Sequence, residues 1–339
     1  MSRRKRIILG ALGTVVLAVL GGGWWLSRQV NPPGPPGEPV RVAIDPGSSL
    51  SSIASQLEDE DVLTSARIFR LYLKATGGEE SFQAGEYALR RNSSMGDVAD
   101  TLAGGPEVVY VKLTVPEGLT LTEIAERVGK LPGLSAEKFT ELAKTGSTRS
   151  RYQPAEVSTL EGLLFPDTYL FTDRDDEADI IRRLVGRFDE VAGDVGLGSR
   201  PAPVGLSPYQ VAVAASLVET EAKVPEDRPL IASVIENRLE RDMKLQIDAT
   251  VLYALGKHKS RVLFRDLEVD SPYNTYKVDG LPPTPIGASG RASLEAMLDP
   301  ADTEYIYYVL TDESGKHAFA ETSAEFERFK ADSRRRGVF

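Results

Sequence analysis

The stretch Ser207–Ala222, SPYQVAVAASLVETEA, predicts the element around which the fold is built. Ser207 is a favoured N-cap, Pro208 suits the first helical position, and Gln210 can complete a capping box. From Val211 to Val218 nearly every residue is apolar, which is the pattern of a helix buried on all sides. We therefore expect a central helix whose polar residues are confined to its two ends.

Two carboxylates, Glu219 and Glu221, close this helix. At 3.6 residues per turn they lie roughly 200° apart around the axis, so they cannot both face one cleft. Glu221 falls on the side of Leu217 and Val218, where desolvation is expected to raise its pKa and hold it as a general acid. Glu219 is then structural or solvated. On spacing alone, both also fit ordinary glutamates of a C-terminal turn.

The composition excludes several kinds of site and partner. The chain has 339 residues, room for about two domains, and it has no cysteine, which excludes disulfides, a thiol nucleophile and zinc sites that need sulfur. His258 and His317 are its only histidines, which leaves few forms for a His-based catalytic triad or a multi-histidine metal site, and no metal or organic cofactor is indicated. The net charge of −10 becomes −14 without the basic run Arg3–Arg6, which argues against nucleic acid as a partner. Asp and Glu side chains are therefore the first candidates for any catalytic group.

The N-terminal region has the pattern of a membrane anchor. Ile7–Leu26 contains twenty residues without a charge, and as a helix it would span about 30 Å, the thickness of a bilayer core. The basic run before it favours a cytoplasmic tail over residues 1–6 and a single-pass protein of the cell (inner) membrane, with the rest extracytoplasmic. A cleaved signal peptide is the alternative, although no A-x-A-like site follows. Residues 27–38, which include NPPGPPGE, predict a Pro/Gly linker.

A pattern of strand, polar turn and helix then recurs in VAIDPGSSLSSIASQL (Val42–Leu57), YALRRNSSMGDVADTL (Tyr87–Leu102) and KLTVPEGLTLTEIAERV (Lys112–Val128). Each helix has apolar residues at i, i+3, i+4 and i+7. Ser48, Ser93, Ser94 and Thr120 are the expected caps. Such βα units resemble LysM-like modules, which bind peptidoglycan glycan chains, over residues 39–110. The alternative is a packing unit without a ligand.

Longer blocks resemble one family. ASLVETEAKVPEDRPLIASVIENRLERDMKLQIDATVLYALG (Ala215–Gly256) and SPYNTYKVDGLPPTPIGASG (Ser271–Gly290) are similar to the membrane-anchored endolytic murein transglycosylases, the MltG or YceG-like family. EGLLFPDTYLF (Glu161–Phe171) and Tyr305–Phe319 are similar to two further blocks, in the family's order. The resemblance implies an α+β fold: a transmembrane helix (7–26), a LysM-like βα module, a larger catalytic domain (111–331) and a basic tail (332–339).

The resemblance also implies an activity. An endolytic lytic transglycosylase cleaves the MurNAc–GlcNAc β-1,4 bond within nascent glycan strands and leaves 1,6-anhydro-MurNAc ends. In the family's V-E-x-E block the second glutamate is catalytic, and here it is Glu221. Protonation of the leaving oxygen needs such an acid, which then takes the proton of the C6 hydroxyl. The implied partners are peptidoglycan strands and the membrane-bound peptidoglycan synthesis machinery.

The matching blocks also supply candidate substrate contacts. Two of them precede or open a new helix, where Asp248 fits an N-cap as well as a glycan contact. The other four form the turn YNTY, which can offer ring faces and amide hydrogen bonds to a sugar, or can be a structural loop. The substrate-binding candidates are Gln246, Asp248, Tyr273, Asn274, Thr275 and Tyr276.

Two other functions fit the same residues. A peptidoglycan hydrolase would need a second carboxylate, for which Asp248, Glu161, Asp167 and Glu219 are available. A non-catalytic peptidoglycan-binding scaffold would bind through the βα units, and the Glu221 helix would be only core. His317 lies near the strand YIYYVL and is either a cleft contact or a surface histidine.

Overall fold

The computed structural model describes residues 3–78, 82–107, 110–256 and 262–338, with the side chains of 3–13 and 15 left undescribed. The chain divides into two compact units, residues 1–109 and 110–339, and each combines helices with a small amount of sheet. The predicted mixture of helix and sheet is therefore confirmed.

The first unit is built around an antiparallel pair of strands covered by helices. The strands pair with Pro39 opposite Arg90 and Ile44 opposite Gly85. The buried side chains of strands and helices, with Phe69 and Tyr87 among the largest, form one apolar core. Its elements are α1 (Arg3–Val30), β1 (Pro39–Ile44), α2 (Leu50–Asp59), α3 (Ala66–Thr76), β2 (Gly85–Arg90) and α4 (Met95–Ala103).

Helix α1 contains the segment predicted to cross a membrane. Within the side chains that the structure describes, no helix is both long enough and apolar enough to span a bilayer. The part of Ile7–Leu26 formed by residues 7–13 and 15 lies outside those described side chains.

The segment predicted as a linker, residues 27–38, has regular structure at its start and backbone hydrogen bonds at its end. Its first residues continue α1 to Val30. Its last residues are bound to the first unit, because Gly37 N donates to Arg91 O at 2.7 Å and Arg91 N donates to Glu38 O at 3.1 Å. Backbone groups without a regular partner are satisfied here by a neighbouring loop, which a composition rich in proline and glycine does not reveal.

The second unit holds the central helix. Its strands pair antiparallel as two separate ribbons, β3 with β4 and β5 with β6. The elements are β3 (Tyr110–Thr114), α5 (Leu121–Val128), α6 (Ala136–Thr145), β4 (Thr168–Thr172), α7 (Glu177–Asp194), α8 (Pro208–Glu221), α9 (Arg228–Glu240), α10 (Asp248–Leu255), α11 (Arg291–Leu298), β5 (Tyr307–Leu310), β6 (His317–Ala320) and α12 (Ser323–Arg335).

Helix α8 is the predicted central helix. Ser207 caps it, and the capping box with Gln210 is present in both directions. Every residue from Val211 to Val218 is buried, and α8 packs against α9, α10 and α11. A helix surrounded in this way holds the residues at its C-terminal end in fixed directions, which makes it a rigid support for a site.

The three recurring sequence patterns have different tertiary roles. The first two form β1 with α2 and β2 with α4, and their strands pair with each other in the first unit. The third forms β3 and α5 in the second unit, where β3 pairs with β4 instead. The caps are Ser49, Ser94 and Thr120, so the first lies one residue after Ser48. The expected basic tail over residues 332–339 is partly helical, since α12 ends at Arg335.

Candidate active site

Glu221 is the last residue of α8, and its side chain is only partly exposed. The hydroxyl of Tyr308 on β5 donates to Glu221 Oε2 at 3.1 Å. The backbone N–H of Ala249, in the first turn of α10, also favours the charged form of this carboxyl group. The carboxyl group therefore lies between β5 and the start of α10.

The environment of Glu221 raises its pKa to about 7, and burial is the largest cause. The negative charge of Asp248 adds to the rise. The Tyr308 hydroxyl, the Lys223 charge and the Ala249 N–H act in the opposite direction because they favour the carboxylate. A carboxyl group with this pKa is protonated in a large fraction of molecules near neutral pH, and it can also accept a proton back, as a general acid and base must.

Asp248 and Tyr276 form a polar pair next to Glu221. The Tyr276 hydroxyl donates to Asp248 Oδ1 at 2.6 Å. Asp248 is exposed and is the first residue of α10, whereas the N-cap position belongs to Ile247. The N-cap alternative for Asp248 is therefore wrong. The exposed carboxylate and the partly exposed ring remain available to a ligand.

Asn274 and Thr275 have no exposed surface. Asn274 Nδ2 donates to the carbonyl oxygens of Leu267 and Val269, both at 2.8 Å. Thr275 Oγ1 accepts from Ile247 N at 3.0 Å. Their side chains hold the loop against the start of α10 and have no exposed surface at which to meet a sugar.

Gln246 and Tyr273 lie on either side of this buried pair. Gln246 is exposed and has a positive φ of 52°, and its backbone N–H donates to Thr275 O at 3.1 Å. Tyr273 is partly buried, with its ring 4.8 Å from that of Tyr253 and its hydroxyl 2.9 Å from Thr284 Oγ1. Gln246, Asp248 and Tyr276 are thus the predicted contacts that keep the most freedom to meet a sugar.

Glu219 faces a different part of the second unit. Its carboxylate accepts from Gly290 N at 2.9 Å, from Ser293 Oγ at 2.8 Å and from Arg228 Nη2 at 3.3 Å. Its side chain is 6% exposed and that of Arg228 is 16% exposed. Of the two roles open to Glu219, the contacts favour the structural one.

The other candidate second carboxylates are already bound within the unit. Glu161 is buried and accepts from Leu121 N at 2.8 Å and from the Tyr253 hydroxyl at 2.9 Å. Asp167 pairs with Arg187 at 3.2 Å. Asp248 is therefore the one of the four that is exposed beside Glu221.

Two residues near the site have roles that sequence reasoning missed. Tyr308 stands in the alternating strand YIYYVL, but nothing in that pattern marks it as the partner of a glutamate 87 positions earlier. Buried Arg238 donates to Ile306 O at 2.6 Å and to Leu245 O at 2.7 Å, so it joins the start of the β5 ribbon to the loop before α10. His317 bonds to Asp227 rather than facing solvent.

No cluster of three or more metal-ligating side chains occurs in the described parts of the chain. His258 lies outside them.

The chain is similar to proteins of known name. A model of the YceG-like family matches residues 42–332. A Bacillus subtilis (strain 168) protein named endolytic murein transglycosylase is 38% identical over 305 residues, covering 86% of this chain and 84% of that protein. A protein of the same name from Streptococcus pneumoniae serotype 2 (strain D39) is 32% identical over 336 residues, covering 86% of this chain. The chain spans 58% of the length of that pneumococcal relative.

A solved structure shares the architecture. The crystal structure of a YceG-like protein from Listeria monocytogenes matches with a TM-score of 0.58 and 35% sequence identity, over 86% of this chain and 99% of that chain. This similarity covers both the units described above rather than a single motif.

Proposed function

Because the chain belongs to the YceG-like family, we propose that it is an endolytic murein transglycosylase in which Glu221 is the general acid and base. It acts on peptidoglycan as a lyase, without water in the overall reaction. The observation that carries the assignment of Glu221 is its position: a carboxyl group with a pKa of about 7 at the end of a buried helix, held by Tyr308 and close to the exposed carboxylate of Asp248.

The reaction follows from what this carboxyl group can do. Protonated Glu221 gives its proton to the oxygen that bridges MurNAc C1 and GlcNAc, and the C1–O bond breaks with its electron pair going to that oxygen. The C6 hydroxyl of the same MurNAc attacks C1, and the Glu221 carboxylate takes the hydroxyl proton. The nucleophile belongs to the substrate, so proximity replaces both water and a second enzyme carboxylate. Glu221 ends the cycle protonated.

Product analysis tests this function directly. Purified protein incubated with peptidoglycan is expected to give fragments that end in 1,6-anhydro-MurNAc, each lighter by one water than a reducing end, as measured by mass spectrometry. Internal cleavage is expected to shorten long strands before small fragments accumulate. Reducing ends alone would identify a hydrolase, and no cleavage at all would favour the binding scaffold.

Asp248 is the residue to change if reducing ends are found. It is the exposed carboxylate beside Glu221, and a hydrolase needs such a second group to activate water or to form a glycosyl intermediate. In a transglycosylase, Asp248→Asn removes a substrate contact and leaves anhydro products. Loss of reducing-end products in this variant would assign the hydrolase role to Asp248.

We also propose that Ile7–Leu26 anchors the protein in the cell (inner) membrane with the catalytic unit outside the cytoplasm. The segment is free of charge and follows four basic residues, and Val16, Leu17 and Trp24 on α1 are exposed apolar side chains. Fractionation is expected to recover the intact chain with membranes, and protease added to spheroplasts should digest the part after Leu26. A soluble mature chain that begins near residue 30 would identify a signal peptide instead.

A position at the membrane also suggests which proteins this chain works with. As the family resemblance implies, it works beside the membrane-bound peptidoglycan synthesis machinery, whose nascent strands are its substrate. Cross-linking in intact cells followed by mass spectrometry is expected to recover glycan synthases with the full chain. Equal recovery with a control membrane protein of similar abundance would count against this association.

The first unit is proposed to bind glycan as a LysM-like module (39–110) and to contribute no catalytic residue. It has its own apolar core, and the second unit has a separate core. A chain lacking residues 39–102 is therefore expected to bind long strands more weakly while keeping turnover on concentrated short glycan. Turnover assays at several glycan lengths measure both effects. A folded second unit with no turnover on any glycan would contradict this division of roles.

A further inference from the structure

Tyr308 occupies a fixed place on the β5 ribbon. It pairs with Phe319 of β6, and its hydroxyl donates to Glu221 Oε2 at 3.1 Å. Its ring meets that of His317 edge to face, with the ring centres 5.4 Å apart and an angle of 88° between the planes. The aromatic ring is therefore held from the side while the hydroxyl points at the carboxyl group.

His317 is itself held by a buried acid. Asp227 Oδ2 accepts from the His317 backbone N–H at 2.8 Å and lies 2.9 Å from His317 Nδ1. The side chains of His317 and Asp227 are 7% and 1% exposed. Because Asp227 directly precedes α9, this pair attaches the ribbon formed by β5 and β6 to the start of α9.

We propose that Tyr308 is a positioning residue that determines which oxygen of Glu221 carries the catalytic proton, and that the Asp227–His317 pair holds Tyr308 in place for this purpose. The proposal rests on the proposed function, in which Glu221 is the acid and base. It adds a reason why one carboxyl group can perform both steps.

The hydrogen bonds of the site support this role. Among the residues that the structure describes, Glu221 Oε2 is the acceptor of the Tyr308 hydroxyl. Burial raises the pKa of Tyr308 well above its ordinary value, so the hydroxyl keeps its proton and remains a donor. Because Oε2 already accepts this hydrogen bond, the acid proton of Glu221 is expected on Oε1, the oxygen that would give it to the glycosidic oxygen.

The same bond serves the second step. After Oε1 has given its proton to the leaving oxygen, the negative charge is shared with Oε2, where the Tyr308 hydroxyl stabilises it. Oε1 is then free to accept the proton of the C6 hydroxyl. The other charged or titratable groups that act on Glu221 are Asp248 on α10, Lys223 after α8 and Tyr276 in the loop, and none of them replaces a donor to Oε2.

Tyr308→Phe is the decisive variant, because it keeps the ring and removes only the hydroxyl. Loss of a hydrogen bond to a charged group typically costs enough free energy that kcat is expected to fall about 10- to 100-fold. KM is expected to change less than about 3-fold. The bond stabilises the carboxylate, so its loss raises the pKa of Glu221. Activity that needs protonated Glu221 falls as pH rises through this pKa, and the fall in the variant is expected at higher pH.

Tyr307→Phe is the matched control. Tyr307 is the preceding residue of the same strand, so its side chain points to the opposite face from Tyr308, where its ring stacks on Phe326 with the centres 5.1 Å apart and lies under the Arg238 guanidinium, contacts that the Phe ring keeps. It is expected to keep the wild-type kcat and pH profile. Thermal unfolding of both variants measures any structural effect of losing a hydroxyl from β5.

The results separate this inference from the function on which it rests. If Glu221→Gln is inactive and Tyr308→Phe keeps the wild-type kcat and pH profile, the role of Tyr308 is overturned while the function stands. If Tyr308→Phe lowers kcat but the fall of activity at alkaline pH stays where it is in wild type, Tyr308 has only a structural role, and the inference is also overturned. If Glu221→Gln is fully active, the proposed acid itself is wrong.

A double-variant cycle tests the supporting pair. His317→Phe keeps a ring against Tyr308 but removes the bond from Nδ1 to Asp227. If His317 acts through Tyr308, His317→Phe alone is expected to lower kcat about 3- to 10-fold. In the Tyr308→Phe background it is expected to lower kcat little further, because the effects of substitutions at residues in contact are not additive. Full additivity of the two effects would show that His317 acts independently of Tyr308.

Discussion

Glu221→Gln is expected to lower kcat by about 10²- to 10⁴-fold on peptidoglycan, the usual contribution of a positioned general acid. The substitution keeps the size of the side chain and an oxygen that can accept from Tyr308, but it removes the proton that the leaving group needs. Release of anhydro-ended fragments, followed by mass spectrometry at several substrate concentrations, gives kcat and KM separately. Because Gln keeps most contacts, KM is expected to change little.

The stability of this variant has a defined pH dependence. Folding raises the pKa of Glu221 from 4.5 to about 7, so the folded state binds its proton more tightly than the unfolded state does. The stability that wild-type Glu221 contributes is complete below pH 4.5 and is lost as pH rises to about 7. Relative to wild type, the Tm of Glu221→Gln is therefore expected to rise over this range. An inactive variant with an unchanged or higher Tm at pH 8 separates lost chemistry from lost folding.

Glu219→Gln is the control for this experiment because it changes the same residue type on the same turn of α8. A much smaller loss of kcat in the folded control than in Glu221→Gln would confirm that position on the helix decides catalysis. A folded but inactive Glu219→Gln beside an active Glu221→Gln would mean that the wrong carboxylate was chosen. If both variants keep wild-type rates, neither glutamate is the acid and the assignment of the catalytic group to α8 is wrong.

Local sequence rules predicted the support of the site well. The cap at Ser207, the buried run after it and the divergence of Glu219 from Glu221 all follow from interactions within one helix. Their partners could not be predicted in this way. Tyr308 is 87 positions from Glu221, and Ser293 is 74 positions from Glu219, so both contacts depend on tertiary packing that no local pattern encodes.

The turn YNTY shows a second limit of sequence reasoning. Its residue types suit a sugar contact, and they suit equally well the satisfaction of buried backbone groups in a loop. Asn274 and Thr275 do the latter, while Tyr276 turns its hydroxyl to Asp248. Burial decides between the two uses, and burial of single loop residues does not follow from a turn's composition.

In the proposed mechanism the two glutamates of α8 have different roles: Glu219 supports the site, and Glu221 performs the chemistry. Glu219 ties α8 to the start of α11 through Gly290 and Ser293, and to α9 through Arg228. These ties fix the last turn of α8 from one side. Glu221 on the other side is thereby held toward β5 and α10 without needing a strong ion pair of its own, and it can keep a pKa near 7.

Glu219→Gln is accordingly expected to destabilise the second unit by about 2–4 kcal/mol, because it removes the buried carboxylate that compensates the largely buried Arg228 and leaves only the half-exposed Glu117, 3.9 Å away, as an acidic partner. For a unit of this size the Tm is expected to fall roughly 5–15 °C. Differential scanning calorimetry at pH 7 measures the change.

Glu304→Gln is the matched control, because Glu304 pairs with Arg241 just after the other end of α9 and its side chain is 74% exposed. A solvated pair of this kind contributes at most about 1 kcal/mol, so its removal is expected to shift the Tm by no more than about 4 °C. Equal Tm values for the two variants would show that the Arg228 pair stabilises no more than a surface contact does. The position of Glu221 would then have to be fixed by the packing of α8 alone.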